Sequence, residues 1–124
     1  MNFTSYCTYF CFASSLLFIV PPQIVHFDFG DEPVNSGDLV SVMCTVNKGD
    51  SPVEIKWFLN NASASTIHGV NVLRTNKRIS QLSIDSVQAD HSGEYTCSAK
   101  NPAGTVTYSA ILHVNGTYRT LFLL

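Results

Sequence analysis

Charge is scarce in this chain. Of its 124 residues, 13% are Asp, Glu, Lys or Arg, about half the usual share, and residues 1–20 carry none. No run of Lys or Arg occurs, and 7 basic against 9 acidic residues leave a net charge of −2. That balance gives no electrostatic footprint for nucleic acid or an anionic membrane surface, so neither is expected as a partner. No stretch carries a sustained helical i, i+3, i+4, i+7 apolar stripe, and no internal repeat or low-complexity linker is visible. Metal-ligand spacing is also missing: Cys7 and Cys11 have no His nearby, and His26, His68, His91 and His113 lie far apart. Ser, His and Asp occur without a nucleophile elbow, a glycine-rich phosphate loop or an HExxH segment. The expectation is a non-enzyme with no catalytic residues, no metal, no cofactor and no small-molecule substrate.

The two ends stand apart from the middle. Residues 1–20 are apolar, rich in Phe, Ser, Leu and Cys, and stop at Pro21-Pro22. They read as a signal-like leader or as a translated non-coding flank. Against a clean signal, no basic residue opens the segment, and the small residues Ala13-Ser14-Ser15 precede the strongly apolar Leu16 to Val20. A membrane span is the least favoured reading, because Phe10 to Val20 is too short to cross a bilayer. The tail, residues 116–124, has Arg119 as its one charge and no structural period, and is expected to lie outside the domain.

Between these ends, residues 21–115 alternate apolar and polar side chains with period two, broken by turn residues. The spacing predicts strands over Gln23 to Phe29, Asp38 to Val46, Glu54 to Leu59, Val70 to Thr75, Ile79 to Ile84, Gly93 to Lys100 and Thr105 to Val114. Seven short strands suit an all-β sandwich of two antiparallel sheets. Parity turns Val40, Val42 and Cys44 one way, and Tyr95, Cys97 and Ala99 likewise, so both cysteines face one core. Trp57 follows Cys44 by 13 residues, and Leu82 and Ile84 supply the opposite sheet. A Cys44–Cys97 bridge would contribute about 4 kcal/mol through loop-closure entropy and needs an oxidising compartment.

Cys44, Trp57, Leu82, Ile84 and the run Gly93-Glu94-Tyr95-Thr96-Cys97-Ser98-Ala99-Lys100-Asn101-Pro102-Ala103-Gly104 together resemble the intermediate set (I-set) of immunoglobulin domains. Within that set, Pro21-Pro22-Gln23-Ile24, Phe29 to Asp38, Lys48-Gly49-Asp50 and Tyr108-Ser109-Ala110 through Leu112-His113-Val114 look like the variable seventh domain of the arthropod Down syndrome cell adhesion molecules (Dscam). The resemblance implies a tyrosine corner at Tyr95. It also implies an alternatively spliced exon, which suits translated flanks. Where the family usually places Asp six residues before the second Cys, this chain has His91, so the usual carboxylate-to-Arg bridge is not expected here.

The function implied by the resemblance is an extracellular recognition module. It would bind an identical copy in an antiparallel homodimer, serving neuronal self-avoidance and arthropod immune recognition, at the cell surface as part of a larger single-pass membrane protein. The family pairs through the sheet that corresponds here to the strands Gln23 to Phe29, Asp38 to Val46, Val70 to Thr75 and Ile79 to Ile84. Parity then places the homophilic interface at Ser41, Met43 and Thr45, at Asn71, Leu73 and Thr75, and at Ile79, Gln81 and Ser83. The alternatives are a passive structural spacer in a multi-domain array, whose outward residues are ordinary solvent-facing side chains, and a receptor module with a different partner. Sequons stand at Asn2, Asn61 and Asn115, of which Asn61 is the expected glycosylation site. Lys48-Gly49-Asp50 resembles an integrin-type tripeptide, although Gly49 serves a turn equally well.

Overall fold

The computed structural model describes residues 18–115. Residues 1–17 of the predicted leader, with Cys7, Cys11 and the Asn2 sequon, and the predicted tail, residues 116–124, lie outside the described residues.

Ten strands occur among the described residues: β1 (Gln23–Ile24), β2 (Val34–Asn35), β3 (Val40–Lys48), β4 (Glu54–Leu59), β5 (Ala62–Ser63), β6 (Val70–Asn76), β7 (Ile79–Ile84), β8 (Gly93–Asn101), β9 (Gly104–Leu112) and β10 (Val114–Asn115). They form two antiparallel sheets, in the order β1-β3-β7-β6 and β5-β4-β8-β9. A short parallel pairing of β2 with β10 ties the N-terminal segment to the end of the second sheet. This is the all-β sandwich that the alternation predicts, with the immunoglobulin-like arrangement that the resemblance implies.

Period two decides what lies inside. Along β3, Val40, Val42, Cys44 and Val46 are buried, and along β7 so are Ser80, Leu82 and Ile84. From the other sheet Trp57, Leu59, Tyr95, Cys97 and Ala99 meet them. Cys44 and Cys97 form the expected disulfide, closing a 53-residue separation, which corresponds to about 4 kcal/mol of chain entropy. Trp57 lies over this centre, its indole N–H donating to Ser80 Oγ at 3.0 Å, so the buried donor is satisfied. The Phe27 ring meets it edge-on at 5.4 Å.

Three local departures from the predicted strands have physical causes. The first strand pairs with β3 only over Gln23–Ile24, with one further bond from Val25 N–H to the Thr45 carbonyl. Beyond it Phe27 packs on Trp57 and Tyr108, and the Asp28 carboxylate accepts the Gly30 N–H, so the chain crosses toward the second sheet. The last strand breaks at His113 before β10. Asn60 and Asn61 both take positive φ, 50° and 72°, so the predicted loop after β4 is a tight two-residue turn that returns as β5.

Candidate recognition face

The outward surface of the β1-β3-β7-β6 sheet is a grid set by strand register. One row is Ser41, Ser83 and Asn71; the next is Met43, Gln81 and Leu73; the third begins Thr45, Ile79. Thr75 completes the third row at a register shift between Arg74 and Asn76, its hydroxyl donating to the Ile79 carbonyl at 3.1 Å. All nine residues chosen by parity therefore stand together on one face. Ser41, Met43, Asn71, Leu73 and Thr75 are exposed; Thr45, Ile79, Gln81 and Ser83 are half-buried between their neighbours.

No charged side chain stands in these rows. Met43 is 50% exposed and Leu73 61%, and the Gln81 amide between them donates to Ser41 Oγ at 2.8 Å. Val25, exposed and bonded to Thr45 through its backbone, extends the apolar centre across β1. Sequence reasoning missed Val25, although its parity with Gln23 was legible.

Tyr95 is buried and its hydroxyl donates to the His91 carbonyl at 2.6 Å, which is the tyrosine corner. Burial, and secondarily the Asp90 carboxylate, pushes its phenol up to about 12. His91 is buried as well: its Nδ1 accepts the Gln88 N–H at 2.9 Å, which leaves Nε2–H to donate to the His68 carbonyl at 2.8 Å. A neutral imidazole bridging two backbone groups thus occupies the place of the family's carboxylate.

Asn61 is exposed at the tip of the β4–β5 turn, on the sheet opposite the grid. Its neighbour Asn60 is committed, accepting the Glu94 N–H at 3.0 Å. Of the third sequon, Asn115 is exposed, while Gly116 and Thr117 lie outside the described residues.

Lys48-Gly49-Asp50 has a structural occupation. The Asp50 carboxylate accepts the Val20 N–H at 2.8 Å, and the Asp50 N–H donates to the Val20 carbonyl at 3.0 Å. A Cβ at Gly49, where φ is +119°, would sit 2.7 Å from Pro22 Cα. Buried Asn101 completes the clamp by donating to the carbonyls of Val20 and Asp50 at 2.7 and 3.0 Å. Arg74 and Arg78 likewise hold backbone carbonyls, Arg74 those of Val53 and Lys77, Arg78 that of Gly49. Among the described residues no cluster of three metal-ligating side chains occurs.

The immunoglobulin domain model matches residues 21–101, and the chain belongs to the immunoglobulin-domain family. Immunoglobulin domains of cell adhesion molecules are a non-enzymatic family. More particularly, the chain is similar to the fruit fly cell adhesion molecule Dscam1, being 49% identical over 98 residues, which cover 78% of this chain and 5% of that protein. The crystal structure of the Dscam1 Ig7 domain, isoform 9, matches with a TM-score of 0.73 at 49% identity, over 77% of this chain and 100% of that one. The structure of the N-terminal eight immunoglobulin domains of a DSCAM isoform matches with a TM-score of 0.74 at 35% identity, over 79% of this chain and 13% of that one. The chain thus spans about a twentieth of the curated relative's length and the whole of a single solved domain.

Proposed function

We propose that residues 21–115 form an extracellular recognition module that binds a second copy of itself in antiparallel fashion through the β1-β3-β7-β6 face, discriminating identical from nonidentical variants. The observation that carries this reading is the charge-free grid with Met43 and Leu73 exposed at its centre. An apolar centre within a polar surround suits a self-complementary patch. Likeness to the Dscam1 Ig7 domain supports the same partner class. The Cys44–Cys97 bridge and the exposed Asn61 sequon suit the outside of a cell, as part of a larger single-pass membrane protein, and a glycan at Asn61 would leave the grid free. In this setting the module serves adhesion-based self-recognition in neurons and immune recognition in arthropods.

The face is small. Ser41 to Thr45 spans about 14 Å along the strand, and four strands at their usual spacing cover about the same width, well below the roughly 800 Å² per partner of a standard interface. A single pair therefore binds weakly, and recognition draws on many copies at once. Mismatch then decides specificity, since a buried unpaired polar group costs about 1 to 3 kcal/mol.

Bead aggregation tests this. Beads densely coated with the domain cluster with one another, and beads coated with the Ser41→Asp, Ile79→Asp variant, folded to the same melting temperature, stay dispersed. Wild-type beads that remain dispersed would favour the spacer; clustering that survives the substitutions would place the interface elsewhere.

A further inference from the structure

One aromatic side chain has no employment in the fold. Phe27, Phe29 and Tyr108 pack against the core and Trp57 and Tyr95 lie within it, whereas Phe58 does neither and stacks with no other described ring. It is half-buried on β4, and because its neighbours Trp57 and Leu59 are buried, alternation turns it outward. Thr96 of β8 opposes it on one side and Ser63 of β5 on the other. Both flanking side chains are small and hydroxylic, and both are tied elsewhere, Thr96 Oγ1 to Ser109 Oγ at 2.7 Å and Ser63 Oγ to Ser65 Oγ at 3.2 Å. Phe58, Ser63 and Ser65 also line a groove of about 390 Å³, so space is left open beside them.

A glycan acceptor stands at the end of this hairpin. β4 returns as β5 through Asn60 and Asn61 alone, with Leu59 opposite Ala62 and Phe58 opposite Ser63. The sequon Asn61-Ala62-Ser63 therefore starts in the turn and finishes straight across from Phe58. Of the two turn amides, that of Asn60 is held toward β8 by the Glu94 N–H, while Asn61 is exposed. Asn61 lies two residues from the Phe58–Ser63 pair, at most about 7 Å of strand, a distance that one sugar on its amide bridges.

The chemistry of the two surfaces matches. A hexopyranose has a hydroxylated rim and a flat hydrocarbon face whose C–H groups carry partial positive charge, and the face of a phenyl ring is the negative end of its quadrupole. Bringing them together also removes apolar surface from water on both sides. We infer that the first N-acetylglucosamine of a glycan at Asn61 packs its hydrocarbon face on the Phe58 ring, with the hydroxyls of Ser63 and Ser65 beside its rim. The inference rests on the glycosylation of Asn61 in the reading above.

Packed in this way, the glycan becomes part of the second sheet and is kept from the β1-β3-β7-β6 face. It also covers the start of an open edge: β5 pairs only with Phe58 and Leu59, leaving β4 uncovered on that side from Trp57 back to Glu54. An uncovered edge is a template for pairing with another chain, and a bulky sugar blocks that approach.

The test uses the full chain carrying Thr4→Ala and Thr117→Ala, so that Asn61 holds the one remaining sequon. Secreted from a eukaryotic cell and trimmed by an endoglycosidase to a single N-acetylglucosamine, it is compared with the same chain made without glycan in a bacterial periplasm. The sugar should raise the melting temperature by about 4 to 8 °C, and Phe58→Leu should lose most of that increment. Independently, NMR should show sugar C–H protons shifted upfield by the ring current of Phe58, a shift absent from the Leu variant.

A modified Asn61 whose sugar protons resonate as in a free glycopeptide, or whose stabilising increment is equally large in Phe58→Leu, overturns the packing and leaves the glycosylation standing. Peptide mass spectrometry that finds Asn61 unmodified overturns both. The ring-current shift is read on the chain with Phe58 in place, so it decides the matter whether or not the Leu variant folds.

Discussion

Replacing Tyr95 with Phe removes one oxygen from the centre of the fold. The hydroxyl donates to the His91 carbonyl at 2.6 Å, and the side chain has no exposed surface. The ring keeps its packing, including the edge contact with Phe29 at 5.3 Å, so no cavity opens. The loss is a short buried hydrogen bond, leaving the carbonyl without that donor, and amounts to about 1 to 2 kcal/mol. For a domain of this size, that lowers the melting temperature by roughly 4 to 16 °C. The pH dependence supplies a second, independent signature. The folded state raises the phenol to about 12, above its unfolded value, so it holds the proton more tightly than the unfolded chain does. The associated stability is complete below a pH of about 10 and is lost as pH rises through about 12. Urea unfolding of wild type and Tyr95→Phe, disulfide intact, should therefore show a stability difference that is constant near neutrality and shrinks above pH 10 or so. A Phe variant as stable as wild type, or a difference that does not change with pH, would refute the tyrosine-corner account.

Removing the bridge by Cys44→Ala with Cys97→Ala should destabilise the domain by about 4 kcal/mol, most of what a small domain possesses, and urea titration followed by Trp57 fluorescence reads it directly. Asn101→Ala leaves the carbonyls of Val20 and Asp50 without their donor, and thermal unfolding should show a loss of about 1 to 3 kcal/mol. A fragment begun after Val20 should lose much of the same increment, since the clamp then has nothing to hold. Secretion from a eukaryotic cell should add a glycan that peptide mass spectrometry maps to Asn61, and Asn61→Gln should abolish it without changing bead clustering.

The disulfide, Trp57, Leu82 and Ile84 were legible because each sits on a strand whose alternation is uninterrupted, and a period of two leaves one choice of face. The same parity brought the grid residues to one surface, including Leu73 on β6, where exposure of almost the whole strand blurs the pattern. The β2–β10 pairing was not legible: two-residue strands have no period, and parallel contact joins segments some 80 residues apart. Asn101 was hidden for a related reason. A polar residue beside a Pro-Ala turn reads as surface, and its burial follows from hydrogen bonds to residues 81 and 51 positions away. His91 could be seen to replace a carboxylate, but its two backbone partners depend on how the turn before β8 meets the start of β6.

Sedimentation equilibrium of residues 18–115, with the Cys44–Cys97 bridge formed, tests self-recognition most directly when wild type is compared with Ser41→Asp, Ile79→Asp from about 10 μM to about 1 mM, the range a small interface occupies. Self-recognition through this face requires a weak wild-type dimer and a variant that remains monomeric at an unchanged melting temperature. A wild-type domain that stays monomeric throughout, or a dimer indifferent to both aspartates, would contradict it.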